Sequence, residues 1–115
     1  MEIRIFVTRN GKAVFRDWWR KLRDRRTREI ILVHIDRLEM GNTSHCKSLG
    51  DGLYELRIHY GPGYRVYFGI TGKQIILLLC GGNKSTQQRD IKRAHRYWNE
   101  YRRPSWNAVD PTRNF

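Results

Sequence analysis

Glu55, Arg57 and His59 fall at every second position of one run, and Arg65 and Tyr67 do the same in the run after Gly61-Pro62-Gly63. Alternate residues of a strand share a face. A hairpin closed by that glycine-proline turn therefore sets a carboxylate, an imidazole, a phenol and two guanidiniums on one patch, leaving Leu56, Ile58, Val66 and Phe68 as core on the other side. Like charges opposed across strands destabilise a sheet, so Arg57 and Arg65 need either Glu55 as a counterion or an anion between them. Lys84 adds a cation in Gly81-Gly82-Asn83-Lys84, read as a loop ahead of a helix whose free N–H groups and dipole favour an anion. The chemistry these types suit is phosphate binding. The structural alternative is an exposed face on which Glu55 pairs with its neighbours.

Other constellations are weaker. Gly-Gly-Asn-Lys-Ser-Thr lacks the first glycine of a P-loop and places Lys84 after Asn83, which argues against ATP. His34, His45, Cys46, His59, Cys80 and His95 show no C-x-x-C or H-x-x-x-H spacing, so neither metal nor cofactor is expected. His34 and His95, like Trp18, Trp19 and Trp98, lie on apolar helical stripes and read as packing residues. The Arg-rich segment from Arg16 to Arg28 is either a nucleic-acid contact or a solvated helix face.

The elements that must position these groups emerge from periodicity. Glu2 to Val7 alternates as a strand with one buried face. Val14, Phe15, Trp18, Trp19 and Leu22 mark an amphipathic helix from Lys12 to about Arg23. Ile30, Ile31, His34, Ile35 and Leu38 mark a second from about Thr27 to Met40, stopped by Gly41-Asn42. After a polar loop come strands at Leu53 to Tyr60, Tyr64 to Ile70 and Ile75 to Cys80, the last apolar throughout, as suits a strand covered on both faces. Ser85 or Thr86 can cap a final helix, with Ile91, Ala94, His95, Trp98 and Tyr101 as its buried stripe. The expected fold is α+β in the order β-α-α-β-β-β-α: an antiparallel sheet packed against an N-terminal helical hairpin and a C-terminal helix, with its other face free. Residues 1–101 form one domain. Residues 102–115 lose periodicity and read as a tail, ordered if Trp106 or Phe115 docks.

A chain of 115 residues is one domain's length, and 39% hydrophobic residues can bury a core, which excludes disorder as the main state. The longest apolar run, Ile75 to Cys80, is far short of the roughly 20 residues that a membrane span needs. The opening Met-Glu-Ile-Arg-Ile-Phe-Val lacks the plan of a signal peptide, so a cytoplasmic protein with Cys46 and Cys80 reduced is expected. With 23 Lys plus Arg against 11 Asp plus Glu, the net charge is +12. That excess points to polyanions, ribosomes or acidic proteins as partners.

With the order β-α-α-β-β-β-α and the segments LYELRIHYGPGYRVYF (53–68) and LCGGNKSTQQRDIKRA (79–94) in view, the chain resembles the RelE/ParE superfamily of toxins. More narrowly it is similar to the HigB-like, phage Gp49-related addiction-module killer proteins, over roughly residues 3 to 101. The resemblance implies the toxin of a bacterial type II toxin-antitoxin module, neutralised by a cognate helix-turn-helix (HigA-like) antitoxin and reaching operator DNA through that complex. It implies inhibition of translation by cleavage of mRNA on the ribosome, as a metal-independent endoribonuclease (mRNA interferase). ParE-type members poison DNA gyrase instead, and a non-enzymatic nucleic-acid-binding component of the repressor complex is a third reading. Residue by residue, Arg65 matches the arginine of the family's Gly-Tyr-Arg segment and Lys84 the cation after the last strand. Arg57 matches the second of two basic positions on the preceding strand. Glu55 stands where the first is basic, and Ile91 where RelE members carry a tyrosine. Cleavage needs a base for the 2′-hydroxyl, cations for the charged transition state and an acid for the 5′-oxygen. Arg65, Lys84 and Arg57 are the expected phosphate ligands; Glu55 or His59 is the base, and the other, or Tyr67, the acid.

Overall fold

Gly61 and Gly63, at φ 56° and 80°, turn the chain so that Leu56 meets Val66 and Arg57 meets Arg65, the pairing that the alternation predicts. The structure, a computed structural model, describes residues 1–72, 74–103, 109–110 and 115. In chain order the elements are β1 (Glu2–Phe6), α1 (Val14–Lys21), α2 (Arg25–Glu39), β2 (Cys46–Gly50), β3 (Leu53–Ile58), β4 (Tyr64–Thr71), β5 (Ile75–Asn83), a 3-10 turn at Lys84–Thr86, α3 (Gln87–Tyr101) and β6 (Val109–Asp110). The fold is α+β, around one sheet ordered β2-β3-β4-β5-β1-β6.

The sheet is mixed rather than wholly antiparallel. β1 runs parallel to β5, with Ile3 beside Ile76 and Ile5 beside Leu78, while every other pair is antiparallel. Periodicity carries no strand direction, and the long excursion through two helices and three strands is the kind of crossover a parallel pair requires. The expected order also lacked β2. Lys47, Ser48 and Gly50 are poor strand formers, but this edge strand pairs on one side only and keeps most of its side chains in solvent.

Neither central face is free, which corrects the expected open side. Phe15 of α1 and Ile31, Ile35 and Leu38 of α2 bury against Ile3, Ile5, Leu56, Ile58, Val66, Phe68, Ile76 and Leu78. On the opposite side Ala94 and Trp98 of α3 close over Leu53, Tyr67, Leu77, Leu79 and Cys80. Each such aliphatic side chain contributes about 1.5–3 kcal/mol, enough to hold helices on both faces. The Trp98 indole N–H also donates to Asp51 O at 2.8 Å, tying α3 to the β2–β3 turn.

β5 extends through Gly81 and Gly82 to Asn83, so the expected glycine loop is strand. Tyr67 pairs with Cys80 but Phe68 with Leu78. Leu79 is therefore an inserted bulge residue, and beyond it the side-chain parity of β5 is reversed. Leu79 and Cys80 both face α3 as a result, and Gly82 with them.

Of the tail, β6 pairs with β1 at Ile5 and Phe6. Phe115 packs on Phe15 and Trp19 at ring centroids of 5.3 and 5.6 Å, and Arg20 Nε donates to its backbone oxygen. Trp106, the other candidate for docking, lies outside the described residues. Cys46 and Cys80 are free thiols. Among the described residues no helix is long and apolar enough to cross a membrane.

Candidate active site

Pairing across the hairpin fixes which of the expected residues meet. Glu55 lies opposite Tyr67, and Arg57 opposite Arg65, so all four project from one side of β3 and β4, the side that α3 covers. Glu55 is fully buried, Tyr67 likewise, and Arg65 is only 8% exposed. Arg57 Nε donates to Glu55 Oε1 at 2.9 Å. The Tyr67 hydroxyl donates to Oε2 at 2.9 Å, and so does Gln87 Nε2, reaching down from the first turn of α3 at 2.9 Å. Arg65 Nε stands 4.0 Å from Oε1, an ion pair without a hydrogen bond, and that nitrogen is buried with no hydrogen-bond partner.

Burial pushes the Glu55 carboxyl up, but hydrogen bonds from Gln87, Arg57 and Tyr67 outweigh it and leave the group below its ordinary value of 4.5. Glu55 is thus a carboxylate at neutral pH with both oxygens engaged. Tyr67 moves the other way: burial first, then the Glu55 charge, drive its phenol far up. The hydroxyl keeps its proton and donates it in a hydrogen bond to the carboxylate.

Lys84 enters from the opposite wall. It begins the 3-10 turn and is exposed. A side-chain carbon on Gly63 would lie 3.5 Å from Lys84 Cβ and 3.7 Å from Arg65 Nη1, so the ammonium stem and the guanidinium flank the same glycine of the hairpin turn. Arg57, Arg65 and Lys84 therefore gather at one mouth. His59 does not share it by any contact described. It is exposed beyond the end of β3, with its ring 5.9 Å from His45, which is in turn 6.4 Å from His34. Among the described residues no three His, Cys, Asp or Glu side chains could hold a metal ion.

The start of α3 holds residues that pattern alone did not single out. Thr86 takes the N-cap position of α3, as one of the two expected candidates, but makes no side-chain cap hydrogen bond there. Asn83 caps the preceding 3-10 turn, its side chain accepting from Ser85 N while the Thr86 hydroxyl accepts from Asn83 N. Thr86 also donates to Asp90 Oδ2. Asp90 is fully buried, with Arg93 Nη2 at 3.0 Å and Arg89 Nε at 3.5 Å. A methyl on Gly82 would collide with Asp90 Oδ2, and one on Gly81 with the Trp18 ring. The two glycines admit α3 on one face and α1 on the other. The spacing of Thr86, Asp90 and Arg93 was the available signal for this cluster. Gln87 left none, because its partner Glu55 is 32 residues away.

A buried carboxylate aims cations at a surface mouth of a strongly basic α+β chain, an arrangement whose positive potential attracts anions. Residues 17–99 match the family described as "Phage derived protein Gp49-like (DUF891)", and the chain belongs to that family, a toxin-like family of the RelE/ParE type. The chain is also 48% identical, over 80 residues, to an uncharacterized protein of Haemophilus influenzae; the match covers 70% of this chain and 81% of that protein. Membership implies a toxin-antitoxin related role and a partner antitoxin.

Proposed function

We propose that this protein is the toxin of a bacterial type II toxin-antitoxin module that inhibits translation by ribosome-dependent, metal-independent cleavage of mRNA, with the RelE/ParE-like arrangement in which α1 and α2 form the helical hairpin. Its antitoxin is a helix-turn-helix protein through which the complex reaches operator DNA, and it acts in the cytoplasm. The observation that carries the reading is the buried Arg65, held 4.0 Å from Glu55 with a buried Nε lacking any hydrogen-bond partner, beside Lys84 at the hairpin mouth. A guanidinium kept in place by a carboxylate it does not fully engage is ready for a second anion.

In this reaction a base takes the 2′-hydroxyl proton and O2′ attacks phosphorus. The bond to the 5′-oxygen breaks, and an acid protonates that oxygen. Arg65, Lys84 and Arg57 bear the extra negative charge of the transition state. Glu55 is ionised, but its oxygens accept from Arg57, Tyr67 and Gln87, so we assign it to positioning the arginines. Tyr67 is occupied likewise. His59, expected as base or acid, packs toward His45 rather than into this mouth, so proton transfer falls to groups that the ribosome supplies.

The test adds the purified chain to a ribosome-dependent translation reaction and maps transcript ends, with a gyrase supercoiling assay in parallel. New 5′ ends within codons are expected with the natural chain and their loss with Arg65→Ala; a folded, fully active Arg65→Ala protein overturns the site. A ParE-like gyrase poison, or a non-enzymatic nucleic-acid-binding component of the repressor complex, needs no general base. The burial of Glu55 is the observation in its favour, and loss of supercoiling without new ends would establish the former.

A further inference from the structure

A second basic feature lies on the far side of the Lys84–Thr86 turn. There a cleft of about 290 Å³ opens between α1 and the start of α3, near the lower limit of the ~300–1,000 Å³ typical of small-ligand sites. It has room for one nucleotide-sized group and none for a helix. Lys12 and Lys21 line it from the α1 side, Arg89 and Arg93 from α3, and Trp18 with the glycines of β5 lies between them. Asp17 is the carboxylate of the lining and Asp90, buried behind it, pairs with the two arginines, so against four cations two positive charges remain in surplus. Among the described residues neither lysine has a carboxylate within ion-pair distance, and Arg93 Nε is buried without a hydrogen-bond partner.

We propose that this cleft seats one nucleotide of single-stranded RNA, its base against Trp18 and its phosphate between the Lys12–Lys21 and Arg89–Arg93 pairs, next to the phosphate held at Arg65 and Lys84. An aromatic face beside a surplus of positive charge, with two lysines that no carboxylate engages, is the combination that holds single strands without reading their sequence. An acidic peptide would use the cations and leave the indole idle. The two sites are also continuous. Gly82 is the register partner of Arg65 and Asn83 that of Tyr64, whose ring lies 6.2 Å from Trp18. A strand leaving the hairpin mouth crosses a single turn of three residues to enter the cleft. The inference rests on the proposed function in that it takes the neighbouring phosphate to be RNA; the cleft itself contributes binding and no proton transfer.

The probe is a short single-stranded RNA with 2′-O-methyl groups, which cannot be cleaved, titrated against the full chain by fluorescence anisotropy across a salt series. Lys21 and Arg89 are exposed, so Lys21→Ala/Arg89→Ala leaves packing intact. It is expected to bind roughly tenfold more weakly, with a salt slope lower by about 1.4 for two lost contacts. Trp18→Leu is expected to cost at least about fivefold in affinity through lost stacking. Unchanged affinity and slope in the double variant overturn the inference, as does a natural chain that fails to bind the probe at low salt. So does a double variant that loses its antitoxin while binding the probe normally, which would make the cleft a protein dock. Weaker probe binding with no new transcript ends in the translation assay leaves the cleft standing and removes the nuclease reading. New ends with unchanged probe binding do the reverse.

Discussion

Two acidic side chains among the described residues are wholly withdrawn from solvent, Glu55 on β3 and Asp90 near the start of α3, and their partners separate them. Asp90 is served locally, by Thr86 four residues before it and Arg93 three after, and it rests on the bare backbone of Gly82. Glu55 draws Arg57 from its own strand, Tyr67 and Arg65 from the next, and Gln87 from a helix 32 residues on. The first arrangement seats a helix. The second exists only when strand, strand and helix are assembled, and what it orders are cations at an open mouth. Burial of a charge is therefore no guide to its task; the range and destination of its partners are.

That contrast can be broken at Gly82. Gly82→Ala drives a methyl into the Asp90 carboxylate and is expected to cost about 3 kcal/mol, a fall in Tm on the order of 10 °C in thermal unfolding. Asp90→Ala alone leaves Arg93 buried in part without its partner and costs a similar amount. The double variant should be clearly more stable than the sum of the two, because removing the carboxylate also removes the atom with which the methyl collides. Additive losses would show that the carboxylate does not rest on that glycine.

Glu55→Gln keeps the shape and deletes the charge. It is expected to cost about 2 kcal/mol by urea unfolding and, by loosening Arg57 and Arg65, about a hundredfold in transcript cleavage. The same group governs the acid limb. Its folded-state pKa lies below the unfolded value, so its contribution is complete above the unfolded pKa and is lost as pH falls from about 4.5 through the lower folded value. Glu55→Gln should flatten that part of the stability profile; an unaltered acid limb would mean the carboxylate is not held as described.

Smaller effects on stability come from the cations. Arg65→Ala is expected to change unfolding free energy by no more than about 1 kcal/mol, since a buried charge with an unsatisfied nitrogen is removed together with its packing, while growth arrest is abolished. Arg57, with 36% of its side chain exposed, should matter least: Arg57→Ala is expected to cost under about 1 kcal/mol and to reduce cleavage only in part.

The chain itself disclosed the hairpin partners. Period-two alternation about Gly61-Pro62-Gly63 places Glu55, Arg57, Arg65 and Tyr67 together, and the register obeys it, because pleat and turn are local rules. The stripes of α1, α2 and α3 were legible for the same reason. β2 was not, since an edge strand of Cys46, Lys47, Ser48 and Gly50 is stabilised by its neighbour's backbone rather than by its own side chains. The direction of β1 beside β5 and the covering of both faces were hidden too, being products of chain routing.

The sharpest divide falls at Leu79. Sequence alone determined that Ile75 to Cys80 is a buried strand with a glycine pair after it, since hydrophobicity and the missing side chains are properties of each residue. Only the assembled sheet decided that Leu79 bulges out of register, reversing the parity of the residues beyond it and turning Gly82 toward Asp90 on α3 while Gly81 meets Trp18 on α1. A bulge is a mismatch between two strands, and neither strand's residues record it until they pair.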